Sequence, residues 1–170
     1  MVSDKFSRYK IFKTGAILLM LTFLGFAAAA AEAGGFQSKS LRLNKMADPE
    51  SNSQYRKVLA VMDNKTLLEP AKILYLVTQL KLSPYQFERN ESIYDGGKAA
   101  SHLLMKYSAV RDRIETAEQF IDYIASRSSK SGRPYHVLDA NGKRYLSHDV
   151  LINELAELEA SIEKKRQRRG

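Results

Sequence analysis

A charged and then apolar N-terminus is the feature that most limits how this chain can fold. Four cations lie within the first 13 residues, an apolar run fills residues 16–26, and an alanine-rich stretch follows to Ala31. A cationic region, a short apolar core and small side chains at the cleavage position are typical of a secretory signal. We therefore expect residues 1–31 to be a signal peptide that is cut between about residues 29 and 33 and takes no part in the mature fold.

The alternative is that residues 14–31 remain as an inner-membrane anchor. The apolar stretch from Ala16 to Ala31 is shorter than the roughly 20 residues that a spanning helix needs, which favours cleavage. In both cases the cations stay on the cytoplasmic side, so the body of the chain is expected in the periplasm. Contact with the membrane is expected only through this segment, if it is not cut.

The formal net charge of +8 is concentrated at the two ends of the chain. Five basic residues lie within residues 163–170, and the middle of the chain is close to neutral, so no face for binding nucleic acid is indicated. The sequence has no cysteine, which excludes disulfides, thiolate nucleophiles and Cys-ligated zinc. A length of 170 residues fits one domain.

The chain after the signal divides into three predicted segments. Residues 32–53 are rich in Gly, Ser, Asn and charge, and they are expected to form a flexible linker. Residues 54–162 are expected to form one small α+β domain, and residues 163–170 a basic tail. The domain is predicted to contain about four helices packed with two short antiparallel hairpins.

Helical spacing of apolar residues predicts the helices, and turn residues predict their ends. The first clear helix is expected to begin at Glu69-Pro70, because Pro suits the first turn, and to stop before Ser83-Pro84. Residues 54–62 carry a shorter helical pattern. The residues predicted to cap the later helices are Asp95, Thr116 with Gln119, and Ser147.

Two turn sequences predict the hairpins. Asn90-Glu91 separates residues 87–89 from 92–94, and Asn141-Gly142 separates residues 135–138 from 143–146. The aromatic residues expected to anchor the core are Tyr94, Tyr107, Phe120, Tyr123 and Tyr135.

Three blocks of sequence carry a family resemblance. They are Phe87-Glu88-Arg89-Asn90, then residues 99–103 with Lys106-Tyr107, and then residues 113–122 and 125–135. Together these blocks resemble the YfeK-like proteins, a family of small exported bacterial proteins of unknown function, over about residues 70–158. The resemblance implies a periplasmic location in a Gram-negative bacterium, and it implies no activity.

Polar residues in the same blocks form a candidate ligand-binding surface. His102 and Lys106 are four residues apart and would share one face of a helix. The serine-rich stretch 126–133 offers hydroxyls, backbone N–H groups and guanidinium groups that suit a phosphate or a carboxylate. The six residues predicted to converge are Arg89, His102, Lys106, Ser129, Ser131 and Arg133. The alternative is structural, with His102 at the edge of the core and the serines ending a helix.

Catalytic and metal-binding patterns are weak in this sequence. The serine-rich stretch lacks the G-x-S-x-G and S-x-x-K spacings, and the three histidines lack the spacings of a metal site. We therefore expect no metal and no cofactor, and favour a non-enzymatic module that binds an envelope protein or an anionic envelope component. The alternative is a small envelope hydrolase in which His102 is the base and a loop serine is the nucleophile.

Overall fold

The computed structural model describes residues 41–44 and 51–170, so the predicted signal peptide and most of the predicted linker lie outside the described residues. The described part contains five α-helices and four short strands. In chain order these are α1 (Ser53–Ala60), α2 (Lys65–Leu82), β1 (Gln86–Arg89), β2 (Ser92–Tyr94), α3 (Gly96–Ser108), α4 (Ala117–Phe120), β3 (His136–Leu138), β4 (Arg144–Leu146) and α5 (Ser147–Gln167). A 3₁₀ turn (Arg111–Arg113) precedes α4, and a π-helical turn (Ile121–Ala125) continues it.

The α+β class is confirmed, and the expected number of helices is corrected from four to five. The two predicted hairpins are present, but they belong to one antiparallel sheet with the strand order β2-β1-β3-β4. Strand β1 joins them by pairing with β3, where Phe87 lies opposite Val137. This pairing brings Phe87 and Val137, which are fifty positions apart in the sequence, into contact, and no local pattern predicts it.

The β1–β2 hairpin turns at Asn90 and Glu91, as predicted. Arg89 pairs with Ser92, so the loop has two residues, and both have positive φ angles of 49° and 67°. A two-residue loop with both φ angles positive matches the right-handed twist of the flanking strands. Glu91 carries a side chain in a conformation that favours glycine, so this turn needs support from its surroundings.

Helix α2 begins earlier than the predicted start at Glu69-Pro70. The side chain of Asn64 accepts hydrogen bonds from the N–H groups of Thr66 (3.0 Å) and Leu67 (3.1 Å), which caps the first turn at that point. Pro70 therefore lies inside the helix, where it has no N–H to donate. The predicted end is confirmed, because the helix stops at Leu82.

Two of the three predicted N-caps are confirmed. Asp95 accepts from the N–H of Lys98 at 2.7 Å, and Thr116 accepts from the N–H of Gln119 at 3.2 Å. The prediction that Ser147 caps α5 is wrong. Ser147 is a buried residue of the helix itself, and its N–H donates to the carbonyl of Tyr135 at 2.9 Å, which ties the start of α5 to the sheet.

The main core lies between the sheet and helices α2 to α5. Three of the five predicted aromatic anchors are buried there, and the rings of Tyr107 and Phe120 meet edge to face with their centroids 5.6 Å apart. Tyr94 is partly buried, whereas Tyr123 is 65% exposed and was wrongly assigned to the core. Its helical neighbours Ile121 and Ile124 form the buried face of this segment, and Tyr123 lies outside that face.

Residues 41–44, which belong to the predicted linker, pack against α2 and α5. Leu43 is fully buried, and its N–H donates to Glu154 at 2.7 Å. The amide of Asn44 donates to the carbonyl of Gln79 at 2.8 Å. Helix α5 extends to Gln167, through most of the predicted basic tail. Among the described helices, none combines the length and the apolar character that crossing a membrane requires.

Candidate functional site

A cavity of about 270 Å³ lies between α3 and the strands β1 and β3. Most of the surface that lines it is apolar, because it opens beside the core that these elements share, although Glu88, Lys98, His136 and Ser147 also border it. The apolar and aromatic residues that line it include Leu80, Phe87, Tyr94, Ala99, Leu103 and Tyr135. Arg89 at the end of β1 and His102 in the middle of α3 also line the cavity. Two of the predicted site residues therefore meet at one cavity.

Arg89 and His102 contact each other through a long hydrogen bond. Nη1 of Arg89 lies 3.5 Å from Nδ1 of His102. Because a guanidinium can only donate, Nδ1 accepts this bond, and the neutral imidazole then carries its proton on Nε2. Nε of Arg89 and Nε2 of His102 are both buried, and neither has a hydrogen-bond partner. The cavity is thus lined by residues with two buried, unused N–H donors.

A third buried polar atom, Oε2 of Glu88, also forms no well-aligned hydrogen bond. Its charge is nevertheless compensated by Arg144, whose Nε lies 2.9 Å from this oxygen and whose Nη2 donates to the other carboxylate oxygen at 3.1 Å. The polar groups at this cavity that lack both a hydrogen-bond partner and a compensating charge are therefore Nε of Arg89 and Nε2 of His102.

The electrostatic environment of the site is positive. Burial, together with the charges of Arg89 and Lys106, lowers the pKa of His102 below its ordinary value of 6.5, so the ring is neutral at pH 7. Burial and the charge of Arg89 also lower the pKa of Lys106 to about 8. Within residues 41–44 and 51–170, no carboxylate forms an ion pair with any of these three side chains.

Lys106 uses its donors within the fold. Nζ donates to the carbonyls of Ile124 (2.5 Å) and Arg127 (3.0 Å), and it lies 3.5 Å from the hydroxyl of Tyr135. The carbonyl of Ile124 lies in the last residues of the π-helical turn and that of Arg127 just beyond it, where a helix end leaves acceptors without intrahelical partners. Lys106 therefore holds the start of the serine-rich stretch against α3.

The remaining predicted residues lie at the β1–β2 turn or at the surface. Ser131 donates to Oδ1 of Asn90 at 2.6 Å, and Arg133 forms an ion pair with Glu91. Ser129 is exposed and does not line the cavity. The structure thus brings Arg89, His102 and Lys106 together and assigns Ser131 and Arg133 to the support of the turn.

Among the residues that line the cavity, sequence reasoning did not assign the partly buried Tyr94 or the exposed Lys98 to the site. Lys98 stands four residues before His102 on α3, so the same helical spacing that connected His102 with Lys106 could have identified it. Tyr94 was assigned to the core. Its position at the cavity follows from its pairing with Phe87, which the two-residue turn sets.

The hydroxyls of the serine-rich stretch bond to groups other than His102. Ser126 donates to the carbonyl of Ile121 at 2.5 Å, and Ser128 accepts from the amide of Asn90 at 3.4 Å. Across the described ranges, no serine forms a hydrogen bond with His102, so the pair that a serine nucleophile and its base would form is not made. The same residues contain no group of three or more side chains suited to holding a metal ion.

Comparisons with known proteins agree with the resemblance found in the sequence. A family model described as a family of unknown function, DUF5329, matches residues 68–159. The uncharacterized protein YfeK of Salmonella typhimurium (strain LT2) is 51% identical over 49 residues, which cover 29% of this chain and 41% of that protein. The match therefore spans less than half the length of that relative. No solved structure matches the chain.

Proposed function

We propose, from the premise that this chain belongs to the DUF5329 family of unknown function, that its domain binds an anionic component of the cell envelope in the cavity beside Arg89 and His102. In this proposal the domain is a binding module and not an enzyme. It is exported by the signal at residues 1–31 and acts in the periplasm, either released or held by residues 14–31.

The observation that carries the proposal is the pair of unused buried donors, Nε of Arg89 and Nε2 of His102. A buried N–H group without an acceptor costs about 1–3 kcal/mol, so folded proteins rarely keep one without a reason. Each of these donors therefore lacks the acceptor that a ligand in the neighbouring cavity could supply.

The charge of the site supports an anion as that acceptor. After burial, the positive charge of the Arg89 guanidinium is the largest cause that lowers the pKa of both His102 and Lys106. An anion bound at Nε of Arg89 would compensate this charge and relieve the repulsion between Arg89 and Lys106. A neutral ligand would satisfy the hydrogen bonds but would leave the repulsion in place.

The test of binding uses the protein purified from the envelope fraction in the form that the cell produces. Its thermal stability is measured with acetate, inorganic phosphate or octanoate, each added at increasing concentration. A ligand present at 100 times its Kd stabilises the folded state by about 2.7 kcal/mol. We expect at least one of these anions to raise Tm.

Two variants make the test specific. Arg89→Met should abolish the rise in Tm, whereas Lys130→Met, which removes an exposed cation of the serine-rich stretch, should preserve it. The proposal is wrong if none of the three anions stabilises the wild-type chain, or if Arg89→Met responds as strongly as the wild type.

The proposed location has its own test. Fractionation of cells that express the chain, followed by mass spectrometry, is expected to find a periplasmic form that begins between about residues 29 and 33. A membrane-bound form that retains residue 1 and exposes its domain to external protease in spheroplasts would support the anchored alternative. The intact chain in the cytosol would contradict both.

A further inference from the structure

We infer that the anion that fits this cavity is an apolar monocarboxylate of about eight or nine carbons, counting the carboxyl carbon. This inference rests on the proposed function, because it names the class of ligand for the same site. It follows from three properties of the cavity, which are its donors, its apolar lining and its volume.

The donors suit a single carboxylate. Nε of Arg89 is a buried N–H donor without a partner on a side chain that carries a single positive charge, and a carboxylate offers an acceptor oxygen and a single negative charge to match it. Lys106 already donates to two carbonyls, so its charge belongs to the fold and not to the ligand. A phosphate dianion would bring a second charge and a third oxygen for which the buried donors of this cavity offer no partner.

The lining favours an apolar chain behind that carboxylate. Leu80, Phe87 and Leu103 border the same cavity as the two donors, and all three are buried side chains of the core. A sugar or another hydroxyl-rich body would leave its polar groups without partners against these residues. An alkyl chain would instead lose its contact with water, which stabilises binding.

The volume sets the length of the chain. The cavity measures about 270 Å³, and a water-sized group occupies roughly 30 Å³. On the order of nine such groups fill the cavity, which corresponds to a carboxylate of about eight or nine carbons in all.

The experiment measures the affinity of the wild-type chain for acetate, butanoate, hexanoate, octanoate and dodecanoate by titration calorimetry at pH 7. Each methylene that becomes buried should raise the affinity about four-fold. The rise should continue to about octanoate and level off before dodecanoate, because the cavity is then full. Octan-1-ol and octylamine have the same chain without the carboxylate, and each should bind at least ten-fold more weakly than octanoate.

A variant that fills the cavity provides an independent check. Ala99 is a partly buried residue of α3 that lines the cavity, and Ala99→Met would occupy part of the space. Octanoate should then bind at least ten-fold more weakly, while the affinity for acetate should change less than two-fold. The chain-length series on the wild type needs no variant, so a failure of Ala99→Met to fold leaves the inference falsifiable.

The outcomes separate this inference from the function on which it rests. If phosphate or acetate binds in an Arg89-dependent manner and longer carboxylates bind no better, the proposed function stands and the inferred ligand is wrong. Equal affinity for octanoate and octan-1-ol also contradicts the inferred ligand. If no anion binds at all, both are wrong.

Discussion

Replacing Arg89 with Met should make the ligand-free protein more stable, although it should abolish anion binding. Arg89 carries a charge beside His102 and Lys106, and its Nε is buried without a partner. Met has a flexible apolar side chain of similar reach, so it can retain the packing of the arginine stem without the donor or the charge. A residue kept at the expense of stability is typical of a functional site.

The expected gain is about 1 kcal/mol. Removing a buried donor that has no acceptor should raise the free energy of unfolding by about 2 kcal/mol, which is the middle of the usual range. The variant also loses the long bond from Nη1 of Arg89 to Nδ1 of His102, 3.5 Å in length, and an ordinary hydrogen bond is worth about 1 kcal/mol. For a domain of this size, a net gain of about 1 kcal/mol raises Tm by roughly 3–5 °C.

The assay is urea unfolding of the wild type, Arg89→Met and Lys130→Met, with no ligand added. Lys130 is exposed, so its replacement should change the free energy of unfolding by less than about 0.5 kcal/mol. A second readout is the pKa of Lys106, which burial and then Arg89 lower to about 8. In Arg89→Met this pKa should rise but stay below its ordinary value of 10.5, because the burial remains.

A loss of stability in Arg89→Met, with the pKa of Lys106 unchanged, would refute the reasoning. It would show that the Arg89 guanidinium is paired within the fold, and that its Nε does not need an acceptor from a ligand.

Three further variants test the fold around the site. Gly96→Ala should cost at least about 1–3 kcal/mol, because a Cβ at residue 96 would lie 2.3 Å from the carbonyl oxygen of Leu80. Gly97→Ala is its control, since its Cβ would meet only the Asp95 side chain, at 3.3 Å, and equal urea midpoints would contradict this account. Lys106→Met should cost about 1–3 kcal/mol and speed hydrogen exchange in residues 126–133, because two carbonyls lose their donor; unchanged exchange would mean that other contacts hold this stretch. Burial raises the pKa of Glu154 above its ordinary value of 4.5, so the folded state binds this proton more tightly than the unfolded chain does, and stability falls as the pH rises from 4.5 through the raised pKa. Glu154→Gln should remove this fall in urea unfolding measured between pH 4.5 and 7, and an identical pH dependence in both proteins would contradict the assignment.

Local signals in the sequence predicted the local parts of the fold. Asp95 and Thr116 cap their helices as expected, because a cap depends only on residues within one turn. The start of α2 was missed because Asn64 offers the same kind of cap earlier in the chain, and Pro70 is tolerated inside the helix. The pairing of β1 with β3 depends on contacts between distant segments, and no spacing within either strand encodes it.

The distinction between local signals and contacts between distant segments also applies to the site. Helical spacing identified His102 and Lys106 as neighbours, and the structure adds Arg89 to them through the β1–β2 hairpin. The composition of the serine-rich stretch indicated anion binding, but the structure uses Ser131 for hydrogen bonding within the fold. Composition indicates which groups are available, whereas the tertiary contacts decide which of them remain free.

Those internal bonds explain how a turn with an unfavourable residue can position the site. Asn90 and Glu91 both have positive φ, and a side chain at Glu91 makes that conformation costly. The bond from Ser131 to Asn90 and the ion pair from Arg133 to Glu91 hold this turn against the serine-rich stretch, which Lys106 holds against α3. Arg89 is the last residue of β1 before the turn, so the same contacts fix the place from which its guanidinium reaches His102. The predicted site residues therefore divide by role, since Lys106, Ser131 and Arg133 position the strand end, and Arg89 and His102 carry the donors that a ligand would meet.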